Sequence, residues 1–333
     1  MSPIPEKNPS ANFLEIPFLI RDAKTDYSYG KPPSERTIDE LLDSSVVVVD
    51  KPCGPSSHEV TKWVGKILGV KKTGHGGTLD PNVSGVLVVG LNRATKAMVF
   101  FSKSEKEYVG IMRFHREISE ESVRLLFQKF TGEIDQLPPV KSAVKRRVRT
   151  RKINALELVE MHGRDVLFRV ECEAGTYIRK LCHDIGKEVG GAHMVELRRT
   201  RAGSFSEKNC VTLHTLSDAY WLWKEKGDEK MLRKFLIPLE SALNLPKLYI
   251  NDGAVDAICS GAQLAAPGVV GGDRFKKNSI IAITTLKGEL VAVALALEDI
   301  ETIAKMEKGY VAKTLRVFMK EGTYLRVWGR RRE

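Results

Sequence analysis

The sequence predicts an α+β fold: a body built on a mixed, mostly antiparallel sheet with helices packed on it, followed by a small β-barrel-like module. Three observations carry this prediction. The chain has 333 residues, 42% of them apolar, enough to bury a sizeable core spread over two domains. Strand-like runs at 108–114, 155–160 and 166–173 mix with helical patterns at 119–130, 177–189 and 213–226, and the turn His162-Gly163-Arg164-Asp165 joins two strands as a hairpin. Pro238 and Pro246 bracket a boundary, beyond which 280–286, 289–297 and 310–318 again read as strands.

Taken in order, residues 1–35 carry Pro3, Pro5, Pro32 and Pro33 among polar residues, which predicts an irregular arm with no fold of its own. The body is expected over 36–245. Residues 46–49 read as a buried strand and Lys51-Pro52-Cys53-Gly54-Pro55 as a turn. Ser56 and Glu59 form a capping box that opens a helix. Its apolar residues Val60, Trp63, Val64, Ile67 and Leu68 fall on one face, with His58 in the first turn. The run Gly74-His75-Gly76-Gly77-Thr78-Leu79-Asp80-Pro81 then sets a lone carboxylate at the end of a glycine-rich, flexible loop. Pro81 biases Asp80 toward an extended conformation. Residues 84–90 form a strand and a helix follows from about Arg93. The second module, 246–325, holds a glycine-proline loop at 261–268.

Charge and cysteine usage narrow the function. The net charge of +11 is concentrated: seven cations and no acid lie between Lys141 and Lys152, and Arg198, Arg199 and Arg201 form a second cluster. Such patches suit a polyanion such as RNA. No Gly-Lys-Ser/Thr follows the glycines, which excludes a Walker-type phosphate loop. Five scattered cysteines without a C-x-x-C pair argue for a reducing compartment, against a disulfide framework and against a zinc finger. His58, His75 and Asp80 fit no standard metal-ligand spacing, so no metal is expected. No apolar stretch of membrane length and no signal peptide are apparent, so the expectation is a soluble, intracellular protein without a membrane partner.

Lys51-Pro52 with Ser57-His58-Glu59, the run ending in Asp80-Pro81, Lys106-Glu107-Tyr108 and Ala174-Gly-Thr-Tyr177-Ile-Arg179 closely resemble the ordered motifs of the TruB-type pseudouridine synthases, over about residues 36 to 320. Pro138-Pro139 through Lys152, and His193 through Arg201, make the chain most similar to the dyskerin branch, catalytic subunits of box H/ACA guide-RNA particles. The resemblance implies isomerisation of uridine to pseudouridine without cofactor. Asp80 can act as nucleophile on sugar or base, or as general base on a ribose proton. It implies that Arg179 pairs with Asp80, where a cation lowers an aspartate pKa by about 1 to 3 units. It also implies that Tyr108 stacks on the flipped base, that His58 helps hold the target loop open, and that Tyr177 and Leu197 line the uracil pocket. Residues 141–152, with Lys145 and Arg146, become a thumb loop closing on substrate RNA. The second module resembles a PUA domain, whose Gly261, Pro267 and Gly268 would hold guide RNA. The implied partners are the guide RNA, target ribosomal RNA, a small zinc-binding protein, a β-barrel regulatory protein and a kink-turn-binding protein. The missing Lys-rich tails imply an archaeal-type, cytoplasmic protein. Two alternatives stay open: a stand-alone enzyme for the T-loop of transfer RNA, and a catalytically silent RNA-binding scaffold.

Overall fold

The computed structural model describes residues 16–138 and 147–326. Lys141, Lys145 and Arg146 of the expected thumb, and residues 1–15 of the arm, lie outside the described residues. The chain divides into two compact units: residues 37–243, and residue 244 onward together with the arm up to Arg36.

In chain order the strands are β1 (Phe18–Leu19), β2 (Ser45–Lys51), β3 (Thr73–His75), β4 (Ser84–Leu91), β5 (Lys106–Phe114), β6 (Gly132–Gln136), β7 (Arg149–His162), β8 (Asp165–Cys172), β9 (Ala192–Ala202), β10 (Phe205–Ser206), β11 (Ile237–Pro238), β12 (Lys247–Ile250), β13 (Leu264–Ala265), β14 (Val269–Gly272), β15 (Ile280–Thr285), β16 (Leu290–Ala296) and β17 (Tyr310–Val317). The helices are α1 (Ile38–Ser44), α2 (Ser57–Ile67), α3 (Met98–Ser102), α4 (Glu120–Lys129), α5 (Ile178–Lys187), α6 (Leu213–Lys226), α7 (Lys230–Phe235), α8 (Leu239–Ala242), α9 (Asp252–Cys259) and α10 (Ile300–Ile303).

In the unit 37–243 the sheet runs β11-β2-β4-β9-β5-β8-β7-β6, with β3 added beside β4 and β10 beside β9. The pairings are antiparallel except β4 with β9, which run parallel over Ser84↔Arg198 and Gly85↔Arg199. Two apolar clusters form the core. One gathers Val47, Val49, Leu87 and Val89 under α1, α2, α6 and α7; the other gathers Phe114, Phe168 and Val170 under α4 and α5.

The capping box forms as its sequence requires: the Glu59 amide donates to Ser56 Oγ and the Ser56 amide to the Glu59 carboxylate. The buried face of α2 departs from the apolar pattern. Trp63 is exposed, while Ser57 and Thr61 face inward beside Val60 and Val64. Both polar residues can be buried because their hydroxyls are bonded, Thr61 Oγ1 to the Ser57 carbonyl and Ser57 Oγ to Leu79.

The glycine run also departs from a flexible loop. Thr73–His75 is strand β3, paired with the Val89–Leu91 end of β4. Gly76 is needed for close packing, since a Cβ there would lie 2.5 Å from Phe101 Cβ, and within the run Gly77 alone takes a left-handed φ, at +132°. Residues 149–152, expected to belong to the thumb loop, are strand instead: from Arg149 the chain is β7, paired with β6 over Gln136↔Arg149 to Gly132↔Ile153.

The second unit is a mixed sheet in the order β1-β14-β12-β15-β16-β17-β13, parallel only between β12 and β15. Its core collects Leu248, Ile250, Ile281, Ile283, Val291 and Val311. The arm belongs to this unit, with Phe18 paired to Gly272. Lys287 Nζ donates to the carbonyls of Asp26 (2.8 Å) and Tyr29 (2.5 Å) and to Tyr324 Oη (3.0 Å), while Glu289 accepts from Tyr324 Oη (2.5 Å) and the Lys31 amide (2.9 Å).

Candidate active site

The centre of the first sheet explains where Asp80 stands. On the side of β4 away from β2, β3 occupies one end and β9 the other. Between them the Val88 carbonyl accepts from the Gly76 amide at 2.9 Å and the Val86 carbonyl from Arg199 Nε at 2.7 Å. Arg199 therefore fills the gap between β3 and β9, and the chain beyond Gly76 leaves the sheet as the loop 77–83. Close approach at this junction fixes Gly85: its φ is +104° and a Cβ would lie 2.2 Å from the Arg199 carbonyl.

The loop is held at almost every residue. Arg199 Nη2 donates to the Gly77 carbonyl (3.2 Å). Ser57 Oγ accepts from the Leu79 amide (2.7 Å) and donates to the Leu79 carbonyl (2.9 Å). Lys51 Nζ donates to the carbonyls of Pro52 (2.7 Å), Pro81 (3.0 Å) and Val83 (2.8 Å), and the Val83 amide to that of Asp80 (3.0 Å). Lys51, Ser57 and Arg199 are all buried. Burial pulls the Lys51 pKa down, with the Asp80 charge opposing it. Bonds from three buried side chains thus hold the loop at Gly77, Leu79, Pro81 and Val83.

Against this frame the Asp80 carboxylate stays open. Arg179, the second residue of α5, donates from Nη2 to Asp80 Oδ2 at 2.5 Å, with side chains 57% and 50% exposed. Because both groups are half in water, the pair contributes little to stability and its importance is geometric. Tyr177 caps the start of α5: its amide donates to Gln136 Oε1 (2.9 Å) and its carbonyl accepts from Gln136 Nε2 (3.1 Å), a buried clamp from β6. Tyr108 on β5 is buried and joins Leu79, Val83 and Leu197 in one apolar cluster. Burial, the largest influence, raises the Tyr108 pKa and the Arg199 charge opposes it. Leu197 pairs with Gly110 across β9 and β5. His58 is exposed in the first turn of α2. Half-buried His75 has its pKa lowered by burial first, then by the charges of Arg199 and His58.

The structure thus brings Asp80 and Arg179 together, with Tyr108 and Leu197 in the apolar cluster that takes in the loop. Gly261, Pro267 and Gly268 lie in the other unit. Gly261 follows α9 with φ +90°, and the Pro267 carbonyl accepts from Asn251 Nδ2 at 3.1 Å. The arginine cluster expected to meet RNA is engaged within the protein: Arg198 pairs with Asp50 and Glu207, Arg199 binds backbone carbonyls, and Arg201 pairs with Glu171. Sequence reading missed Lys51, Arg199 and Gln136 as parts of the site, because only the tertiary fold supplies the carbonyls and amides they bind. Among the described residues no three His, Cys, Asp or Glu side chains gather as metal ligands would, and no helix is long and apolar enough to cross a membrane.

Comparison with known proteins matches four family domains to the chain in order, between residues 18 and 318. Residues 18–61 match the DKCLD (NUC011) domain, 65–178 the TruB family pseudouridylate synthase N-terminal domain, 179–244 the tRNA pseudouridylate synthase B C-terminal domain, and 246–318 the PUA domain. The probable tRNA pseudouridine synthase B of Archaeoglobus fulgidus is 53% identical over 95% of this chain and 98% of its own. That of Methanothermobacter thermautotrophicus is 51% identical over 96% and 98%. Among solved structures, a Cbf5-Nop10-Gar1 complex contains a chain 47% identical, with a TM-score of 0.84 over 92% of this chain and 95% of that one. An H/ACA RNP bound to a substrate RNA containing 2'-deoxyuridine contains one 44% identical, with a TM-score of 0.85 over 95% and 98%. The chain belongs to the TruB family of pseudouridine synthases, in its dyskerin-like branch.

Proposed function

We propose that this protein isomerises uridine to pseudouridine in ribosomal RNA as the catalytic subunit of a box H/ACA guide ribonucleoprotein, with Asp80 as its catalytic carboxylate. The Arg179–Asp80 contact at 2.5 Å carries this reading. The reaction breaks the bond from C1′ to N1, turns the detached uracil and joins C1′ to C5; N1 gains a proton and C5 loses one, so the product is an isomer. Asp80 starts it either by attack on the nucleotide or by taking a ribose proton, and both routes need an ionised carboxylate, which Arg179 holds in place. The target base has to leave its stack to be reached. Tyr108 then stacks on it and the pocket is completed by Leu197 and Tyr177, with His58 at the rim and Lys145 and Arg146 on the approaching RNA.

The rest of the chain, as domains 36–245 and 246–325 with the arm 1–35, serves the particle. Gly261, Pro267 and Gly268 of the PUA domain hold guide RNA. Complexes of relatives contain Nop10 and Gar1, which supports the small zinc-binding and β-barrel proteins as partners here, beside a kink-turn-binding protein. The place of action is the cytoplasm.

The test is pseudouridine formation on a guide-matched RNA, with and without guide RNA and partner proteins, comparing the native chain with Asp80→Asn. Guide-dependent product that vanishes in the variant is expected. Product on transfer RNA without a guide would favour the second reading, which the names of the curated relatives support. No product under any condition would leave an RNA-binding scaffold.

A further inference from the structure

Strand β5 buries a lysine that the reaction scheme leaves unused. Lys106 is 4% exposed and shares the inward face of β5 with Tyr108. Its ammonium donates to the carbonyls of Phe101 (3.0 Å), Ser102 (3.4 Å) and Ser104, and to Ser104 Oγ (3.0 Å). These acceptors sit at the carboxyl end of α3 and in the turn after it, where a cation meets the negative end of the helix.

Among the described residues no carboxylate binds this ammonium. The charged and titratable groups facing it are Arg199 from β9 and the Cys172 thiol from β8, and burial pushes that thiol up to about 12, so it is uncharged. Glu105, next in the chain, accepts from Asn154 instead. A buried cation without a counter-ion is costly, so stability alone does not account for it.

What Lys106 touches lies directly under the catalytic loop. The turn it binds begins at Phe101, whose side chain rests on the Gly76 backbone, leaving only 2.5 Å for a Cβ. A Cβ on Gly77 would lie 3.6 Å from Lys106 Cε and 3.7 Å from Arg199 Nη1. The lysine stem and the turn it anchors therefore form the floor on which the chain runs from Gly76 to Asp80.

We propose that Lys106 is a positioning residue for the isomerisation: its ammonium clamps the Phe101–Ser104 turn against Gly76 and Gly77 and so fixes the Asp80 loop. This rests on the function proposed above. Burial, with the Arg199 charge adding to it, lowers the Lys106 pKa to about 8, so the clamp is charged at neutral pH and loses its charge in mildly alkaline solution. The linkage to stability runs the other way. An unfolded lysine keeps its proton up to about 10.5, so above about pH 8 the unfolded chain holds more protons and this group adds to stability as pH rises. Activity and stability therefore diverge, which general alkaline unfolding does not produce.

The experiment is single-turnover pseudouridine formation by the assembled complex on either side of about pH 8, for the native chain, Lys106→Arg and Lys106→Met, with amide hydrogen exchange of residues 76–80 in each. The native rate should fall about tenfold per pH unit on the alkaline side while the melting temperature does not fall with it. Lys106→Arg, a cation at every pH tested, should lack that fall. Lys106→Met should be slower by about ten- to a hundredfold and insensitive to pH over this range, with unchanged RNA affinity and faster exchange at 76–80. A native rate without an alkaline limb, or a Lys106→Met protein whose rate and exchange match the native one, overturns the proposal. A native protein that makes no pseudouridine overturns the proposed function, and exchange at 76–80 then decides the clamp by itself.

Discussion

Replacing Ser57 by Ala tests how the loop holding Asp80 is built. Ser57 is 1% exposed, and its hydroxyl both accepts from the Leu79 amide (2.7 Å) and donates to the Leu79 carbonyl (2.9 Å). Leu79 is itself 3% exposed, so water cannot replace the lost partner. Leaving a buried amide and a buried carbonyl unpaired costs about 1 to 3 kcal/mol each, and partial relaxation brings the expected loss to about 2 to 4 kcal/mol. For a unit of this size each kcal/mol lowers the melting temperature by about 2 to 4 °C, so the expected drop is roughly 4 to 16 °C. Leu79 precedes Asp80 directly, and a carboxylate displaced by about 1 Å costs on the order of a hundredfold in rate. Thermal melting and single-turnover pseudouridine formation, run on the same sample below its melting range, measure both effects. A variant that melts within about 1 °C of the native protein would refute the claim that this hydroxyl carries the loop.

Three further outcomes follow from the same geometry. Arg179→Met should lower the isomerisation rate by about a hundredfold with melting unchanged, because a half-exposed ion pair adds little stability; lost melting temperature with an intact rate would reverse the assignment. His75, with its pKa lowered below 6.5, stays neutral in the folded chain while the unfolded chain takes up a proton, so its stability contribution is complete above pH 6.5 and is lost as pH falls below it. Denaturation midpoints measured against pH should show this slope in the native chain and a flatter one in His75→Gln. Lys287→Met removes the donor to the Asp26 and Tyr29 carbonyls and to Tyr324 Oη and should destabilise the second unit by about 1 to 3 kcal/mol. Limited trypsin digestion should then cut the arm at Lys24 faster than in the native protein, and an unchanged cleavage rate would show that the arm is held by other contacts.

The sequence by itself determined the local elements and pointed to Asp80 and Arg179 as a pair. Strand-like patterns set β5 and β8, the two-residue turn at Gly163-Arg164 joined β8 to β7 as a hairpin, and the Ser56–Glu59 capping box set the start of α2. These are short-range effects, readable from residues a few positions apart. Asp80 and Arg179 were legible through their motifs although 99 residues separate them. What holds them was decided only by the tertiary structure. Trp63 faces outward because Ser57 and Thr61 find buried partners, the arginines of β9 turn inward because acids and carbonyls on neighbouring strands receive them, and the first half of the glycine run becomes a strand because β4 leaves one edge open to it. Lys51 and Lys106 stood in the sequence only as members of motifs, and Arg199 as one of a cluster suited to RNA. Lys51 and Arg199 are buried against backbone carbonyls that converge only once the sheet and the loop 77–83 have assembled, while Lys106 binds carbonyls two to five residues before it, and a backbone carbonyl, carried by every residue alike, leaves no mark in the sequence.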